Sequence, residues 1–143
     1  MSKGNTFEND FLLLIFNATA IANIADDAGV SPLTNLYTSL HTANPGEAGN
    51  QATNETAYTN YVRVTIARSA AGWTVTDNSV SPVANIDFPE CGATPGNPIT
   101  HFGIGIAASG AGKLLYSGTV TPNITMAAGV IPRIKTTSTI TED

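Results

Sequence analysis

The residue types best suited to metal binding or thiol chemistry in this chain are two histidines and one cysteine: His41, His101 and Cys91. Zinc sites commonly draw ligands from short spacings such as C-x2-C or H-x3-H, and these three residues match none of them. Glu90 also places a negative charge beside the thiol, which disfavours a reactive thiolate. We therefore predict no metal ligands here, and interpret both histidines as ordinary strand or loop residues.

Two further patterns suggest catalysis but do not fit it well. Glu47 and Glu55 resemble a glycosidase carboxylate pair, yet both lie in one loop, where a fixed separation is hard to hold. The stretch 109–113 resembles a phosphate-binding loop, but Ala107 stands in place of its first glycine and Leu114 in place of its hydroxyl. We predict no catalytic residue and no cofactor, and expect that the protein is not an enzyme.

The composition limits the classes of partner. Of the 143 residues, 42% are hydrophobic and only 12% are charged, so the surface must consist largely of neutral polar side chains. Such a surface suits a protein that packs against copies of itself or another protein. The net charge of −5 and the scattered basic residues argue against nucleic-acid binding. The apolar run 11–16 is much too short to span a membrane. A single cysteine excludes an internal disulfide.

An amphipathic helix is predicted near the start of the chain. Asn5 and Glu8 have the spacing of a capping box, and Gly29 is a suitable C-terminal stop. The pattern predicts a helix over residues 6–27, because apolar residues recur at helical spacing: Phe7, Phe11, Leu14, Ile15, Ala18, Ile21, Ala22 and Ala25.

Beyond residue 32 the pattern changes to short strands bounded by Gly, Pro, Asn and Asp. We predict residues 1–31 as an N-terminal helix and arm, and 32–143 as the β part of a single compact domain. The predicted fold is mainly β, an antiparallel β-sandwich or small barrel with one N-terminal α-helix. The predicted strands lie within 36–42, 61–68, 72–76, 80–88, 99–107, 113–120 and 129–141, with a hairpin connection at 110–112.

The second of these strands alternates, which predicts Val62, Val64 and Ile66 on one face and Arg63 on the other. Between the first two strands lies a long polar loop (residues 43–60), and loops of this length are usually functional or disordered. The large aromatic residues of the β part are predicted to form its core, although an exposed aromatic cluster would suit sugar binding: Trp73, Phe88, Phe102 and Tyr116.

Several of these stretches resemble a family of small structural proteins of tailed bacteriophages. The resemblance rests on Leu-His-Thr-Ala-Asn-Pro-Gly at 40–46, Ala-Arg-Ser-Ala-Ala-Gly-Trp at 67–73, and the glycine-containing stretches 101–105 and 112–118. It covers roughly residues 36–143. Members are commonly labelled tail-fibre or head proteins, and the resemblance implies no catalytic residues.

The resemblance, the low charge and the absence of repeats suggest a capsid decoration (cement) protein on the capsid exterior of the virion. It would bind the shell of major capsid protein, and itself as a homotrimer, without contacting nucleic acid or membrane. The alternatives are a head-fibre or tail-associated adaptor, and a carbohydrate-binding module that aids host adhesion. The predicted assembly contacts lie in the N-terminal segment and the long loop: Phe7, Phe11, Asn44, Pro45, Glu47, Asn54 and Glu55.

Overall fold

The computed structural model describes residues 4–21 and 33–142. The fold is mainly β, with antiparallel sheets and one N-terminal helix, as predicted, and the described strands do not close into a barrel. The sheets have the strand orders β2-β1-β6-β7, β3-β4-β9 and β5-β8. The elements are α1 (Asn5–Asn17), β1 (Asn35–His41), β2 (Val64–Ala67), β3 (Trp73–Thr76), β4 (Ser79–Pro82), β5 (Ile86–Asp87), β6 (Ile99–Gly105), β7 (Leu114–Ile124), β8 (Arg133–Ile134) and β9 (Ile140–Thr141).

The chain divides into two compact units. Unit 1 comprises Met1–Asn35, Ile66–Ile86 and Ile134–Asp143, and unit 2 comprises Leu36–Thr65 and Asp87–Arg133. Each unit has its own buried apolar residues. Those of unit 1 include Leu12, Phe16, Trp73, Val80 and Ile134, and those of unit 2 include Leu36, Leu40, Phe88, Ile99 and Ile104.

In unit 1, helix α1 packs against the β3–β4 hairpin. Leu12 and Phe16 are four residues apart, so they lie on the same face of the helix, and both are fully buried. The Phe16 ring meets the Trp73 ring edge-on, with the ring centroids 4.8 Å apart. Trp73 is 2% exposed, so the prediction that it belongs to the core is confirmed.

Helix α1 ends earlier than the apolar periodicity predicts. It stops at Asn17, because Ala18 adopts a left-handed conformation with φ 55° and Thr19 donates its backbone N–H to the Leu13 carbonyl at 3.1 Å. The Arg68 guanidinium donates to the carbonyls of Ile15, at 2.7 Å, and of Leu14. A cation thereby satisfies carbonyl groups that have no partner inside the helix. The predicted helical residues 22–27 and the stop at Gly29 lie outside the described residues.

The predicted capping box is absent. Helix α1 begins at Asn5, and the residue in the N-cap position is Gly4, which offers no side-chain hydrogen bond. The Glu8 backbone N–H donates to the Gly4 carbonyl at 3.1 Å, which is the ordinary helical pattern. The Glu8 side chain therefore has no capping function at this end of the helix.

In unit 2, β1 and β6 pair antiparallel, with Leu40 opposite Phe102 and His41 opposite His101. Strand β7 pairs antiparallel with β6, so the hairpin connection predicted at 110–112 is confirmed. Phe88 is 2% exposed and belongs to the core, as predicted. Phe102 and Tyr116 are only half-buried, so they are less central to the core than predicted.

The predicted faces of the second strand need correction. Val64 and Ile66 are half-buried, but Val62 lies before β2 and is 60% exposed. Arg63 is buried instead, with 7% of its surface exposed. Buried and exposed residues do not alternate as predicted here, because residues 62 and 63 precede β2. The buried Arg63 guanidinium has specific partners, which are described below. No helix among residues 4–21 and 33–142 is long and apolar enough to cross a membrane.

Candidate assembly site

The second half of the long loop is folded back along the end of β1. The Thr42 backbone N–H donates to the Asn54 carbonyl at 2.8 Å, and the Thr56 N–H donates to the Leu40 carbonyl at 2.9 Å. Between them, His41 and Glu55 form an antiparallel bridge. The length of the loop is therefore used to build a local extension of the sheet, which fixes Asn54 and Glu55 in place.

Glu55, a predicted assembly contact, forms a bidentate ion pair with Arg63. Nε and one terminal nitrogen of Arg63 each donate to a different carboxylate oxygen of Glu55, both at 2.7 Å. The Tyr61 hydroxyl donates to the same carboxylate at 2.8 Å and accepts the Leu40 backbone N–H at 3.0 Å. The Glu55 carboxylate is thus committed to contacts within unit 2, and its side chain keeps 17% exposure.

The remaining Arg63 donors hold the loop between β6 and β7. They reach the carbonyl of Ala107 at 2.9 Å and that of Gly110 at 2.7 Å. The hydrogen bonds and the charge of Glu55 raise the pKa of Arg63, and burial raises the pKa of Tyr61. The alternating pattern of residues 61–68 places Arg63 on the face opposite the valines and does not indicate this function. A usable signal was present: one Arg between two valines, eight residues after a Glu, in a chain with few charges.

His41 is fully buried beside this cluster. Its Nδ1 lies 2.9 Å from the Thr53 carbonyl and its Nε2 lies 2.9 Å from the Ser39 hydroxyl. Because a carbonyl only accepts, Nδ1 carries the proton and Nε2 accepts from Ser39. Burial lowers the pKa of His41, outweighing the hydrogen bond to Thr53. This neutral, hydrogen-bonded histidine fits the predicted structural function.

Cys91 is also buried, and its thiol contacts the carbonyls of Gly92 and Thr94, at 3.4 and 3.8 Å. Within the described part of the chain, no three His, Cys, Asp or Glu side chains converge as a metal-binding group. Both of these thiol contacts are with backbone carbonyls, which do not activate a thiol.

The first half of the long loop faces β7 across a surface groove of about 570 Å³. Asn44 and Glu47 line the groove, and Asn54 holds its rim by donating to the Asn44 carbonyl at 3.0 Å. Pro45 is buried beneath the loop. The opposite wall contains polar, aromatic and aliphatic side chains: His101, Leu114, Leu115, Tyr116, Ser117 and Thr119. The structure thus brings Asn44, Glu47 and Asn54 together.

The groove and the ion-pair cluster are different places on unit 2. Glu47 lines the groove, whereas Glu55 is held by Arg63 and is not part of the groove lining. Glu47 and Glu55, which resemble a glycosidase pair in the sequence, therefore do not lie in a common site. The groove offers a carboxylate, an amide, hydroxyls, a tyrosine and two leucines, a mixture that suits recognition of a protein segment.

The two predicted contacts on α1 form an aromatic pair at the helix surface of unit 1. The rings of Phe7 and Phe11 lie 6.2 Å apart between centroids. Phe7 is 41% exposed and Phe11 is half-buried. An exposed aromatic ring next to a half-buried one is a common anchor in protein interfaces.

Tyr58 and Tyr61 are packed within unit 2. Tyr58 and Tyr61 meet edge-on at 5.3 Å, and Tyr61 stacks on Phe88 at 6.3 Å. The Tyr58 hydroxyl donates to the Pro89 carbonyl at 2.8 Å, and burial raises the pKa of Tyr58 to about 12. Sugar-binding aromatics need an exposed ring face, which Tyr58, at 2% exposure, does not present.

Comparison with known proteins identifies the family. A family model described as Podophage GP4 fiber I protein gp80 matches residues 5–142. No curated protein matches the chain. The match includes both units and every element of the fold. The chain therefore belongs to the podophage GP4 fiber I protein gp80 family, a family of virion structural proteins of tailed phages.

Proposed function

We propose that this protein is a non-enzymatic subunit of a virion fibre, acting as a head-fibre or tail-associated adaptor between the particle and other fibre components. The observation that carries the proposal is the match of a fibre-protein family model to residues 5–142. The match extends over nearly the whole chain, so the family description applies to the protein as a whole and not to one segment of it.

The chemistry of the buried polar groups supports a structural function. Glu55 and Arg63 neutralise each other, and His41 uses both ring nitrogens in hydrogen bonds. Side chains that are committed in this way stiffen a scaffold.

The assembly surface proposed here has two parts, one on each unit. On unit 2 it is the groove bearing Asn44 and Glu47, where the rim is fixed by Asn54. On unit 1 it is the pair Phe7 and Phe11. The sparse charge of the chain lowers the desolvation cost of covering such surfaces, which supports self-association, as a homotrimer in this proposal.

A capsid decoration protein on the capsid exterior is the second candidate. It is favoured by the absence of internal repeats in this sequence, since extended fibres are usually built from repeats. In that case the partner would be the major capsid protein. A subunit that binds only the assembled shell would stabilise it by mass action.

Gold labelling of an affinity-tagged chain on intact particles tests the proposal. The fibre function predicts label at a few fixed positions, at the fibres or their attachment sites. Label spread over the whole shell would replace the proposal by the decoration function. Absence of label from purified particles, with the tag shown to be accessible in the free protein, would overturn both.

A further inference from the structure

Unit 1 contains a surface cavity, here called the hollow, where the start of α1 meets the turn of the β3–β4 hairpin. Its volume is about 510 Å³. The six lining residues all carry oxygen in their side chains and none is basic: Asn5, Thr6, Glu8, Asn9, Asp77 and Asn78. Carboxylate, amide and hydroxyl oxygens are ligands preferred by hard divalent cations.

Glu8 is the unusual member of this group. It is only 6% exposed, yet no residue in the described ranges donates a hydrogen bond to its carboxylate or pairs with it. A mostly buried carboxylate without a partner inside the protein depends on the contents of the adjoining space to balance its charge. Glu8 lines the hollow, so an ion bound there would compensate that charge.

Asn9 on α1 and Asn78 in the hairpin turn are each held by the amide nitrogen of the side chain. The Asn9 amide N–H donates to the Asp77 carbonyl, and the Asn78 amide N–H donates to the Glu142 carbonyl, both at 2.8 Å. Since a side-chain amide has one nitrogen and one oxygen, each Oδ1 remains available as an acceptor. The hollow is therefore richer in acceptors than in donors.

We propose that this hollow binds a hard divalent cation, with Ca²⁺ as the best fit, through the carboxylates of Glu8 and Asp77 and the amide oxygens of Asn9 and Asn78. An anion is the competing ligand, because a helix N-terminus carries roughly half a positive charge. Two carboxylates outweigh that half charge, so the hollow favours a cation. Ca²⁺ accepts flexible sets of six to eight oxygen ligands, including waters, which suits an open hollow.

Calcium titration of the full chain tests this proposal. The protein is dialysed against EDTA and then against buffer, and its melting temperature is measured with CaCl₂ or with NaCl of equal ionic strength. We expect CaCl₂ alone to raise the melting temperature, and calorimetric titration to show one site. By analogy with extracellular calcium modules, its Kd should be roughly 10⁻⁴ to 10⁻³ M.

The variants Glu8→Gln and Asp77→Asn should each weaken calcium binding at least about tenfold, because each removes one of the two charged ligands. Asn tolerates the left-handed conformation of residue 77, where φ is 51°, so Asp77→Asn preserves the turn. The matched control is Asp10→Asn, which changes an acid on the same helix outside the hollow. The proposal is overturned if the wild type shows no calcium response, or if Asp77→Asn or a folded Glu8→Gln responds like the control.

Discussion

Glu55 and Arg63 are joined by two parallel hydrogen bonds of 2.7 Å, and this pair connects the long loop to the β6–β7 hairpin. Paired guanidinium and carboxylate groups of this geometry are strong and directional. The Arg63 side chain is 2% exposed and that of Glu55 is 17% exposed, so the pair is shielded from solvent. We interpret it as the contact that fixes the second half of the long loop against the loop between β6 and β7.

Replacing Arg63 by an uncharged residue should destabilise unit 2. In Arg63→Met the Glu55 carboxylate and the carbonyls of Ala107 and Gly110 lose their donors. We expect a loss of about 3 kcal/mol, the lower end for a broken buried pair, because Glu55 keeps some exposure. Urea unfolding followed by far-UV circular dichroism measures it. The control Arg133→Met breaks an exposed ion pair with Asp87 and should have a much smaller effect. Equal losses in both variants would contradict this account.

The core of unit 1 should depend strongly on Trp73. This side chain is 2% exposed and packs edge-on against Phe16. Trp73→Ala should lower the free energy of unfolding by about 3–5 kcal/mol, because the surrounding residues cannot completely fill the cavity that the missing ring leaves. Thermal unfolding followed by circular dichroism is the measurement, since the variant lacks the only tryptophan. Trp73→Phe keeps a ring against Phe16 and should lose less. An unchanged melting temperature in Trp73→Ala would show that the ring is not a core residue.

Stability should fall in mild acid because of His41. Burial lowers its pKa in the folded state below the ordinary value of 6.5, so only the unfolded state takes up a proton just below that pH. The contribution of neutral His41 is complete above about pH 6.5 and is lost as the pH falls toward the folded-state pKa, by at most about 1.4 kcal/mol per pH unit. His41→Gln lacks this proton uptake.

The measurement is the free energy of unfolding of the wild type and of His41→Gln between about pH 7.5 and pH 5. The stability advantage of the wild type should shrink as the pH falls through this range. An advantage that stays constant with pH would contradict a lowered pKa at this residue. The comparison cancels the carboxyl groups that both proteins share.

The exposed aromatic ring of α1 should matter for assembly more than for folding. Phe7 is 41% exposed, so Phe7→Ser should leave the melting temperature nearly unchanged. If the ring is an interface anchor, incorporation of the variant into particles should fall at least about tenfold, since central aromatic anchors are worth 2 kcal/mol or more. Ile131→Ser, at a residue 51% exposed, is the matched control. Normal incorporation of Phe7→Ser would remove this residue from the assembly surface.

The sequence predicted the strands better than the exact ends of the helix. Residues 36–42 alternate in polarity, and β1 spans nearly the same residues (Asn35–His41). The end of α1 at Asn17 depends partly on Arg68, which lies some fifty residues later in the chain and binds the carbonyls of Leu14 and Ile15. Local periodicity carries no information about such a distant partner.

The candidate site was predictable only in part, for a similar reason. The turn chemistry of Asn44 and Gly46 is readable from the sequence, and the Asn44 carboxamide accepts the Gly46 N–H at 2.8 Å. The burial of Arg63 was not predicted, because it requires the loop to fold back and bring Glu55 within reach. A pattern of alternating residues assigns a charge to the surface unless its partner is known.

The most direct test of the proposed function is the number of copies of this chain in purified virions, measured by quantitative mass spectrometry relative to the major capsid protein. A subunit of fibres or their attachment sites occurs in a small, fixed number per particle. The account therefore predicts a copy number far below that of the major capsid protein and unchanged after repeated purification. A copy number close to that of the major capsid protein would contradict it and support a decoration of the shell.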